Sequence, residues 1–333
     1  MEQSNAPIVL FTYNRPIHTQ NILDSLALCN EAKDSVLYIF CDGAKENVDE
    51  IGLKKIEEVR KIVYSENRFK EVVVTIQEKN KGLSASIISG VTQVINEYGK
   101  IIVLEDDFKI SPFFLEYMND GLVRYQDNKS VAEIGGCNTF ACGDKFPKYF
   151  VSPMAETLGW ATWKNRWDFF NGDSIYLYNK INERGLAYKF NAYGSYDMMG
   201  MLLDQIFGKV NSWAIRWQAI MVLNNWYCIH ANISYTQHIE SFDATHATVN
   251  ILPPLQLSKP VFETIEIKEN ENVIKALKGG YSGKSDYYGK FKTKYFKRRI
   301  KKKIKKVLLF FIPFGIVMLF KKDKSKNKNL DLD

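Results

Sequence analysis

The chain has 333 residues, of which 46% are hydrophobic and 14% aromatic, so it can bury a substantial core. Its formal net charge of +7 is unevenly distributed. Residues 287–333 contain 16 basic and 3 acidic residues, whereas the first 286 contain 29 basic and 35 acidic ones. The hydrophobic content excludes disorder for most of the chain, and the mildly acidic charge of the first 286 residues argues against a nucleic-acid-binding body.

The regular alternation of apolar β-rich runs with segments of helical length predicts an α/β fold. Strands separated by helices form a mostly parallel sheet with helices on both faces. The predicted strands are 7–13, 36–41, 71–77, 100–104 and 131–136.

The second part of the chain is less regular and rich in aromatic residues, without a Gly/Ser linker that would separate it. We therefore predict one domain made of two halves, followed by a linker and a tail. The predicted ranges are 1–140, 141–257, 258–289 and 290–333.

The five cysteines and the N-terminus bear on the cellular compartment. The cysteines are odd in number and lack CxxC spacing, which predicts reduced thiols in a cytoplasmic protein. The opening MEQSNAPIVLF has neither the basic region nor the long apolar stretch of a secretory signal.

Polar and charged residues follow the predicted strands at the points where the strands end. Because ligands of open parallel sheets bind beyond the carboxyl ends of the strands, we expect these residues to form one ligand-binding edge. They are Thr12, Asn14 and Arg15, Asp42 and Gly43, Lys79, Asn80 and Gly82, and Glu105, Asp106 and Asp107.

The three consecutive acids Glu105, Asp106 and Asp107 stand directly after an apolar strand. Adjacent carboxylates repel one another and raise each other's pKa unless a positive charge lies among them. Mg²⁺ or Mn²⁺, held by one or two carboxylates with diphosphate oxygens and water, supplies that charge. The alternative is a solvated helix start, since Ser111-Pro112 follows and a helix N-terminus favours acids.

Four segments in this order, FTYNRP, FCDG, NKGLSASI and VLEDDF, resemble the nucleotide-sugar-binding half of GT-A-fold glycosyltransferases. The resemblance is to glycosyltransferase family 2 and to the N-acetylglucosaminyltransferase I family. The later segments LGWATW, NSWAIRW and FDATHAT resemble bacterial sugar transferases of surface-polysaccharide clusters. The resemblance covers roughly residues 6–250.

The resemblance implies a role for each of the strand-end residues. Asp107 would be the direct ligand of Mn²⁺ or Mg²⁺, and Asp42 would hydrogen-bond the base, typically uracil. From local sequence alone, the alternatives are that Arg15 is a surface arginine and that Asp42-Gly43 is a plain turn. The implied nucleotide-sugar-binding residues are Thr12, Arg15, Asp42, Asn80, Gly82, Glu105 and Asp106.

Transfer of the sugar to an acceptor hydroxyl requires a general base, which we expect in the second half of the chain. The segment NSWAIRW has Ala214 where the family would place an acid. We select Asp204, with Glu156, Glu240 and Asp243 as rivals. Each of these carboxylates reads otherwise as a surface or capping residue.

Two further groups are candidates for the same site. The resemblance makes His246 a possible additional metal ligand, although a hydrogen-bonded loop histidine is the alternative. Trp160 and Trp213 are candidates for stacking on the acceptor sugar, although most tryptophans at such spacing belong to the core.

The tail has 11 basic residues between Lys290 and Lys306, followed by 14 uncharged, mostly apolar residues, 307–320. A membrane-spanning helix needs about 20 apolar residues, and this stretch contains Pro313 and Gly315. We predict a peripheral anchor on the anionic inner face of the plasma membrane. A nucleic-acid-binding tail and a partner-binding helix are the alternatives.

Together these features predict a metal-dependent glycosyltransferase of bacterial surface-polysaccharide synthesis. It would use a nucleoside-diphosphate sugar, of which a UDP-sugar is typical, and a glycan or lipid-linked acceptor, with inversion implied by the resemblance. The alternatives are a sugar-phosphate nucleotidyltransferase, which requires a Gly-rich loop after the first strand, and a non-catalytic carbohydrate-binding protein.

Overall fold

The computed structural model describes residues 4–138, 140–141, 146–238 and 255–279. The strands within these residues include all five that the sequence predicts. They are β1 (Ile8–Thr12), β2 (Val36–Cys41), β3 (Glu71–Ile76), β4 (Lys100–Glu105), β5 (Phe108–Ile110), β6 (Val131–Gly135), β7 (Tyr149–Ser152), β8 (Trp160–Trp163), β9 (Tyr227–Ala231) and β10 (Thr236–His238).

Eight of these strands form one sheet in the order β3-β2-β1-β4-β8-β6-β9-β7, and β10 pairs with β5 separately. The pairings make β7 and β8 antiparallel to their neighbours, so the other six strands run in one direction. The predicted α/β class with a mostly parallel sheet is therefore confirmed. Strands from both predicted halves share this sheet.

Helices cover both faces of the sheet, as the sequence predicts. The helices within the described residues are α1 (Pro16–Ala27), α2 (Glu50–Ser65), α3 (Leu83–Tyr98), α4 (Phe114–Arg124), α5 (Lys164–Trp167), α6 (Ser174–Glu183), α7 (Ala187–Phe190), α8 (Met198–Ile206), α9 (Trp213–Leu223) and α10 (Glu271–Lys278).

The alternation of side chains along β1 builds two cores, one on each face. Ile8 and Leu10 belong to the cluster that also contains residues of α1, α2 and α4. Val9 and Phe11 belong to the opposite cluster, with residues of α3 and α9. Successive side chains of a strand point to opposite faces, so each core receives every second residue. The helices α3 and α9 therefore lie on the same face.

The parallel register brings the strand ends to one edge. Phe11 of β1 is paired with Phe40 of β2 on one side and with Glu105 of β4 on the other. The amide of Asp42, the residue after β2, donates to the carbonyl of Thr12 at 3.0 Å. This common edge, which we call the ligand edge, positions the predicted site residues.

Residues within 258–279, in the range predicted as a linker, contact the preceding part of the chain. Arg124 donates to the Thr264 hydroxyl at 3.0 Å, and the amide of Ile265 donates to Tyr125 at 3.1 Å. The segment ends in α10, whose Leu277 is buried. The sequence is polar overall, but its few apolar residues fall on one helical face, which is sufficient for packing.

Two other sequence predictions concern the membrane anchor and the cysteines. No helix in the described ranges is long and apolar enough to cross a membrane, and the predicted anchor at 290–333 lies outside those ranges. Four of the five cysteines are buried free thiols, and Cys142 also lies outside the described residues.

Replacing Leu277 with alanine tests whether the C-terminal segment is part of the folded unit. Removal of a buried leucine side chain is expected to lower the free energy of unfolding by about 2–4 kcal/mol in urea titrations. The matched change Lys275→Ala, at an exposed position of the same helix, is expected to cost less than about 0.5 kcal/mol. Equal stability of the two variants would contradict the packed segment.

Candidate active site

The acidic cluster Glu105-Asp106-Asp107 lies at the end of β4, and Arg15 reaches it from the start of α1. The Arg15 guanidinium Nη1 is 3.5 Å from Asp106 Oδ1 and 3.3 Å from Asp107 Oδ2. Pro16 begins α1 directly after Arg15, which fixes the backbone from which this side chain projects. The structure thus brings Arg15 together with Asp106 and Asp107, which follow it by 91 and 92 positions in the sequence.

The cluster contains more negative charge than Arg15 compensates. Burial, together with the charges of Asp107 and Asp106, raises the pKa of Glu105 to about 8. Burial also raises the pKa of Asp106 to about 7, even though the Arg15 charge opposes this rise. Additional positive charge at this edge would relieve the repulsion.

The fit of a divalent cation depends on what the substrate contributes. Among the described residues, no three His, Cys, Asp or Glu side chains are grouped to hold a metal ion. One or two carboxylates completed by phosphate oxygens and water are, however, a usual Mg²⁺ shell. The hard oxygens of Asp106 and Asp107 fit that arrangement, with Arg15 as the competing cation.

Asp42 organises the neighbouring loop through its carboxylate. Its Oδ1 accepts hydrogen bonds from the amides of Gly43 and Lys81, at 2.9 and 2.8 Å, and its Oδ2 accepts one from Gly82 at 2.9 Å. These bonds hold the start of α3 against the end of β2. The predicted contact of Asp42 with a base stays a prediction, to which this structural role is added.

Gly43 and Gly82 are each suited to this loop for a different physical reason. A Cβ on Gly43 would lie 2.4 Å from the carbonyl carbon of Lys79, so only glycine permits the crossing of the two loops. The backbone of Gly82 has φ +75°, a conformation that residues with a side chain rarely adopt. Asn80 closes the crossing by donating to the Gly43 carbonyl at 2.8 Å. Asp42-Gly43 is therefore more than a plain turn.

The other predicted site residues are distributed as follows. The Thr12 hydroxyl is buried and donates to Cys41 Sγ at 3.2 Å. Asp204 lies in the last turn of α8, where its carboxylate pairs with Lys209 at 3.3 Å. Glu156 lies in the loop before β8, and burial raises its pKa to about 7. Three further candidates lie outside the described residues: Glu240, Asp243 and His246.

Trp160 and Trp213 belong to the core in this structure. Their exposed fractions are 1% and 4%, and the two rings stack with centroids 5.1 Å apart. Neither ring presents a face to solvent, so the structure favours the core alternative over the predicted acceptor contact. Trp217 packs beside them.

Glu133, which sequence reasoning did not select, is a fully buried acid in β6 behind the loop that carries Glu156. Its carboxylate accepts hydrogen bonds from the Glu156 amide and from Trp217 Nε1. Burial raises its pKa to about 8. The only signal in the sequence was an acid inside the apolar run VAEIG, which reads as a solvent-facing residue of a half-exposed strand.

Comparison with known proteins gives distant structural likenesses. No family model and no curated protein matches the chain. S. aureus TarS is similar with a TM-score of 0.37 and 15% identity, over 71% of this chain and 37% of TarS. A nucleotide-diphospho-sugar transferase from Desulfovibrio desulfuricans G20 is similar with a TM-score of 0.30 and 10% identity, over 51% and 69%. For mouse xyloside xylosyltransferase 1 the values are 0.26 and 14%, over 41% and 54%.

These likenesses are too weak to assign a function, and the chain spans little more than a third of TarS. We therefore infer function from the ligand edge itself.

Replacing Glu133 with glutamine tests its burial as a neutral acid. Because the folded-state pKa of about 8 exceeds the ordinary value of 4.5, the stability that protonation contributes is complete below pH 4.5 and is lost as the pH rises through 8. Between pH 4.5 and 8, the free energy of unfolding of the Glu133→Gln variant is therefore expected to fall less steeply than that of the wild type. The difference in slope should be on the order of 1 kcal/mol per pH unit.

The measurement is urea unfolding at several pH values between 4.5 and 8. Glu183→Gln, which changes an exposed glutamate paired with Lys180, should keep the wild-type profile. Parallel profiles for Glu133→Gln and the wild type would show that Glu133 is charged in the folded protein.

Proposed function

We propose that the protein is a glycosyltransferase that moves a sugar from a nucleoside-diphosphate sugar to an acceptor hydroxyl. The observation that supports this most is the composition of the ligand edge. Excess carboxylates at the end of β4 lie beside Arg15, and a loop anchored by Asp42 starts α3 at the same edge. Such an edge suits a ligand with a diphosphate, a cation and polar rings.

We assign the donor to this edge, with UDP as the nucleotide. Asp42 and Arg15 bind the nucleotide portion, and Glu105 and Asp106 face the ribose and the sugar. Because Arg15 already pairs with Asp106 and Asp107, donor binding exchanges these contacts for contacts with phosphate oxygens.

Asp107 is the proposed holder of Mn²⁺ or Mg²⁺. When bound, the cation stabilises the negative charge that develops on the leaving diphosphate. The carboxylate of Asp107 would hold the cation, and the partial burial of the cluster would strengthen this interaction by limiting the access of water.

In the transfer, the acceptor oxygen forms a bond to the anomeric carbon as the bond from that carbon to the diphosphate oxygen breaks. The nucleoside diphosphate leaves with the electron pair, and a carboxylate takes the acceptor proton. Inversion follows from a single displacement of this kind. Of the described candidates for the base, Glu156 lies on a loop of the ligand edge, whereas Asp204 lies in the helical layer.

A sugar-phosphate nucleotidyltransferase is the less favoured enzyme, because β1 is followed by Tyr13-Asn14-Arg15-Pro16 rather than by a Gly-rich phosphate loop. A non-catalytic carbohydrate-binding protein is distinguished by the absence of turnover.

We further propose that the polybasic, apolar tail holds the enzyme at the inner face of the plasma membrane. An enzyme at that surface meets lipid-linked or membrane-assembled glycans, as in the synthesis of bacterial surface polysaccharides. The support is the sequence alone, namely the 11 basic residues before the apolar stretch 307–320.

Replacing Asp107 with alanine tests the metal and the reaction together. We expect metal-dependent turnover of a UDP-sugar to fall by about 100-fold or more, because the leaving charge loses its counter-ion. A second readout is Mn²⁺ binding in the presence of UDP, followed by electron paramagnetic resonance, which should weaken in the same variant.

The control is Asp168→Ala, an aspartate on α5's C-terminal side whose side chain is 50% exposed and paired with Lys164. It should match the wild type in both measurements. Undiminished Mn²⁺ binding after Asp107→Ala would exclude this residue as the ligand, and absence of turnover with every nucleotide sugar in the wild type would exclude the enzyme.

A chain that ends at Gly289 tests the membrane anchor. Binding of the full chain to vesicles with anionic lipid should be strong and should weaken with salt, since each basic residue contributes on the order of 1 kcal/mol. The shortened chain should not co-sediment with these vesicles. Neutral phosphatidylcholine vesicles are the control, and retention of the shortened chain would contradict the anchor.

A further inference from the structure

The strand β3 is the outermost strand at one edge of the eight-stranded sheet, and among the described strands only β2 pairs with it. Five consecutive residues of β3, 72–76, are partly exposed to solvent. Four of them are apolar, namely Val72, Val73, Val74 and Ile76, and the strand contains neither proline nor glycine. An apolar edge strand of this kind is a template for pairing with another chain.

The opposite edge of the sheet shows how this protein covers an edge strand. The strand β7 lies at that edge, and each of its four residues is buried. Its Phe150 packs in one cluster with Val273 of α10, so the C-terminal helix lies against this strand. Within the described ranges β3 has no such cover, as the exposure of its residues shows.

The backbone of β3 has hydrogen-bonding groups that its own sheet does not use. The amide of Gln77, just after the strand, donates to the Cys41 carbonyl of β2 at 2.9 Å. Every second residue of a strand directs its N–H and C=O to the same neighbour, so the intervening residues direct theirs away from the sheet. These outward residues are Val72, Val74 and Ile76.

The side chains of the same three residues form an apolar row. Val72, Val74 and Ile76 pack partly against the core that contains residues of α1 and α2, whereas Val73 packs on the opposite face. A second strand beside β3 would cover the exposed remainder of this row and extend the core across the junction.

A second copy of β3 fits these features. Two copies that pair antiparallel about a two-fold axis at Val74 place Val72 opposite Ile76 and Val74 opposite its own counterpart. Opposite residues of such a ladder exchange both hydrogen bonds, so the outward groups of all three residues are satisfied. A register shifted by one residue would oppose outward groups to inward ones, and a register shifted by two would pair only part of the row.

The charges that flank β3 are complementary in this register. Lys70 precedes the strand and Glu78 follows it, and both are exposed. The axis at Val74 places Lys70 of each copy opposite Glu78 of the other, which favours the pairing. Glu71 lies opposite the neutral Gln77, so no like charges oppose each other along the paired segment.

We propose that the protein forms a two-fold symmetric homodimer in which the β3 strands of two copies pair antiparallel and join their sheets. The interface is isologous, because the same strand serves both partners. Each copy keeps its own ligand edge, because the interface runs along the outer side of β3 and not beyond the carboxyl ends of the strands. The inference is independent of the proposed function.

The first test measures the mass of the full chain by sedimentation velocity over a range of concentrations. The wild type should have the mass of two chains, and Val74→Pro should raise the dimer dissociation constant by about tenfold or more. Proline removes an N–H that makes no bond within one copy, so the variant should keep its circular dichroism spectrum. Val261→Pro, at an exposed position outside the helices and strands, is the control and should remain dimeric.

Charge exchange at Lys70 and Glu78 tests the register. Lys70→Glu and Glu78→Lys, each alone, place like charges opposite one another and should raise the dissociation constant by about fivefold. The double variant restores opposite charges and should return the constant to near the wild-type value. Lys129→Glu, at an exposed position before β6, is the matched control and should leave the constant unchanged.

A wild type with the mass of one chain at every concentration would overturn the dimer, even if β3 then pairs with a strand of another protein. A dimer that persists unchanged in folded Val74→Pro would also overturn it, because the copies would then associate through a different surface. Equal dissociation constants for the single and the double charge variants would contradict the axis at Val74. The charge variants change only exposed side chains, so they keep the test decisive if proline lowers the stability of the fold.

Discussion

The carboxylate of Asp42 holds together the parts on which the ligand edge depends. It joins the end of β2 to the amides that lead into α3, and the close crossing at Gly43 leaves no room for any other residue there. A carboxylate satisfied by three amides is a strong and directional anchor. The position of the start of α3 follows from this one group.

The edge that results is divided electrostatically. The end of β4 carries carboxylates whose charge is only partly compensated by Arg15, and the start of α9 carries the positive charge of Arg216, which is hydrogen-bonded to Ser84 of α3. The proposed donor, a nucleoside-diphosphate sugar with a cation, contains both signs of charge and would complement both regions. Neither region alone would define such a ligand, because acids at strand ends and positive helix starts are common.

The sequence was sufficient to predict the sheet of the first half and the edge at which its strand ends meet. Short apolar runs separated by helical segments leave few possible topologies, and parallel strands place Thr12, Asp42 and Glu105 together without knowledge of packing. The Trp160–Trp213 stack was not predictable, because local sequence does not tell which face of an aromatic residue is covered by a distant helix.

Two other features depended on contacts across the whole chain. Glu133 reads as a solvent-facing position in an alternating strand, whereas in the structure it is buried and hydrogen-bonded to the Glu156 amide and to the indole of Trp217. The segment 258–279 has the polar composition of a linker. Its few apolar residues, such as Val273 and Leu277, pack against residues that are distant in sequence, which local sequence does not indicate.

The tryptophan cluster has an optical consequence. Trp213 and Trp217 belong to α9, the helix that carries Arg216, and their rings lie 5.1 and 6.3 Å from the ring of Trp160. Indoles at such separations are sensitive to small changes in one another's position and surroundings. A ligand that shifts the start of α9 therefore changes the near-ultraviolet circular dichroism and the emission of these rings, so the protein carries its own spectroscopic reporter of what happens at the ligand edge.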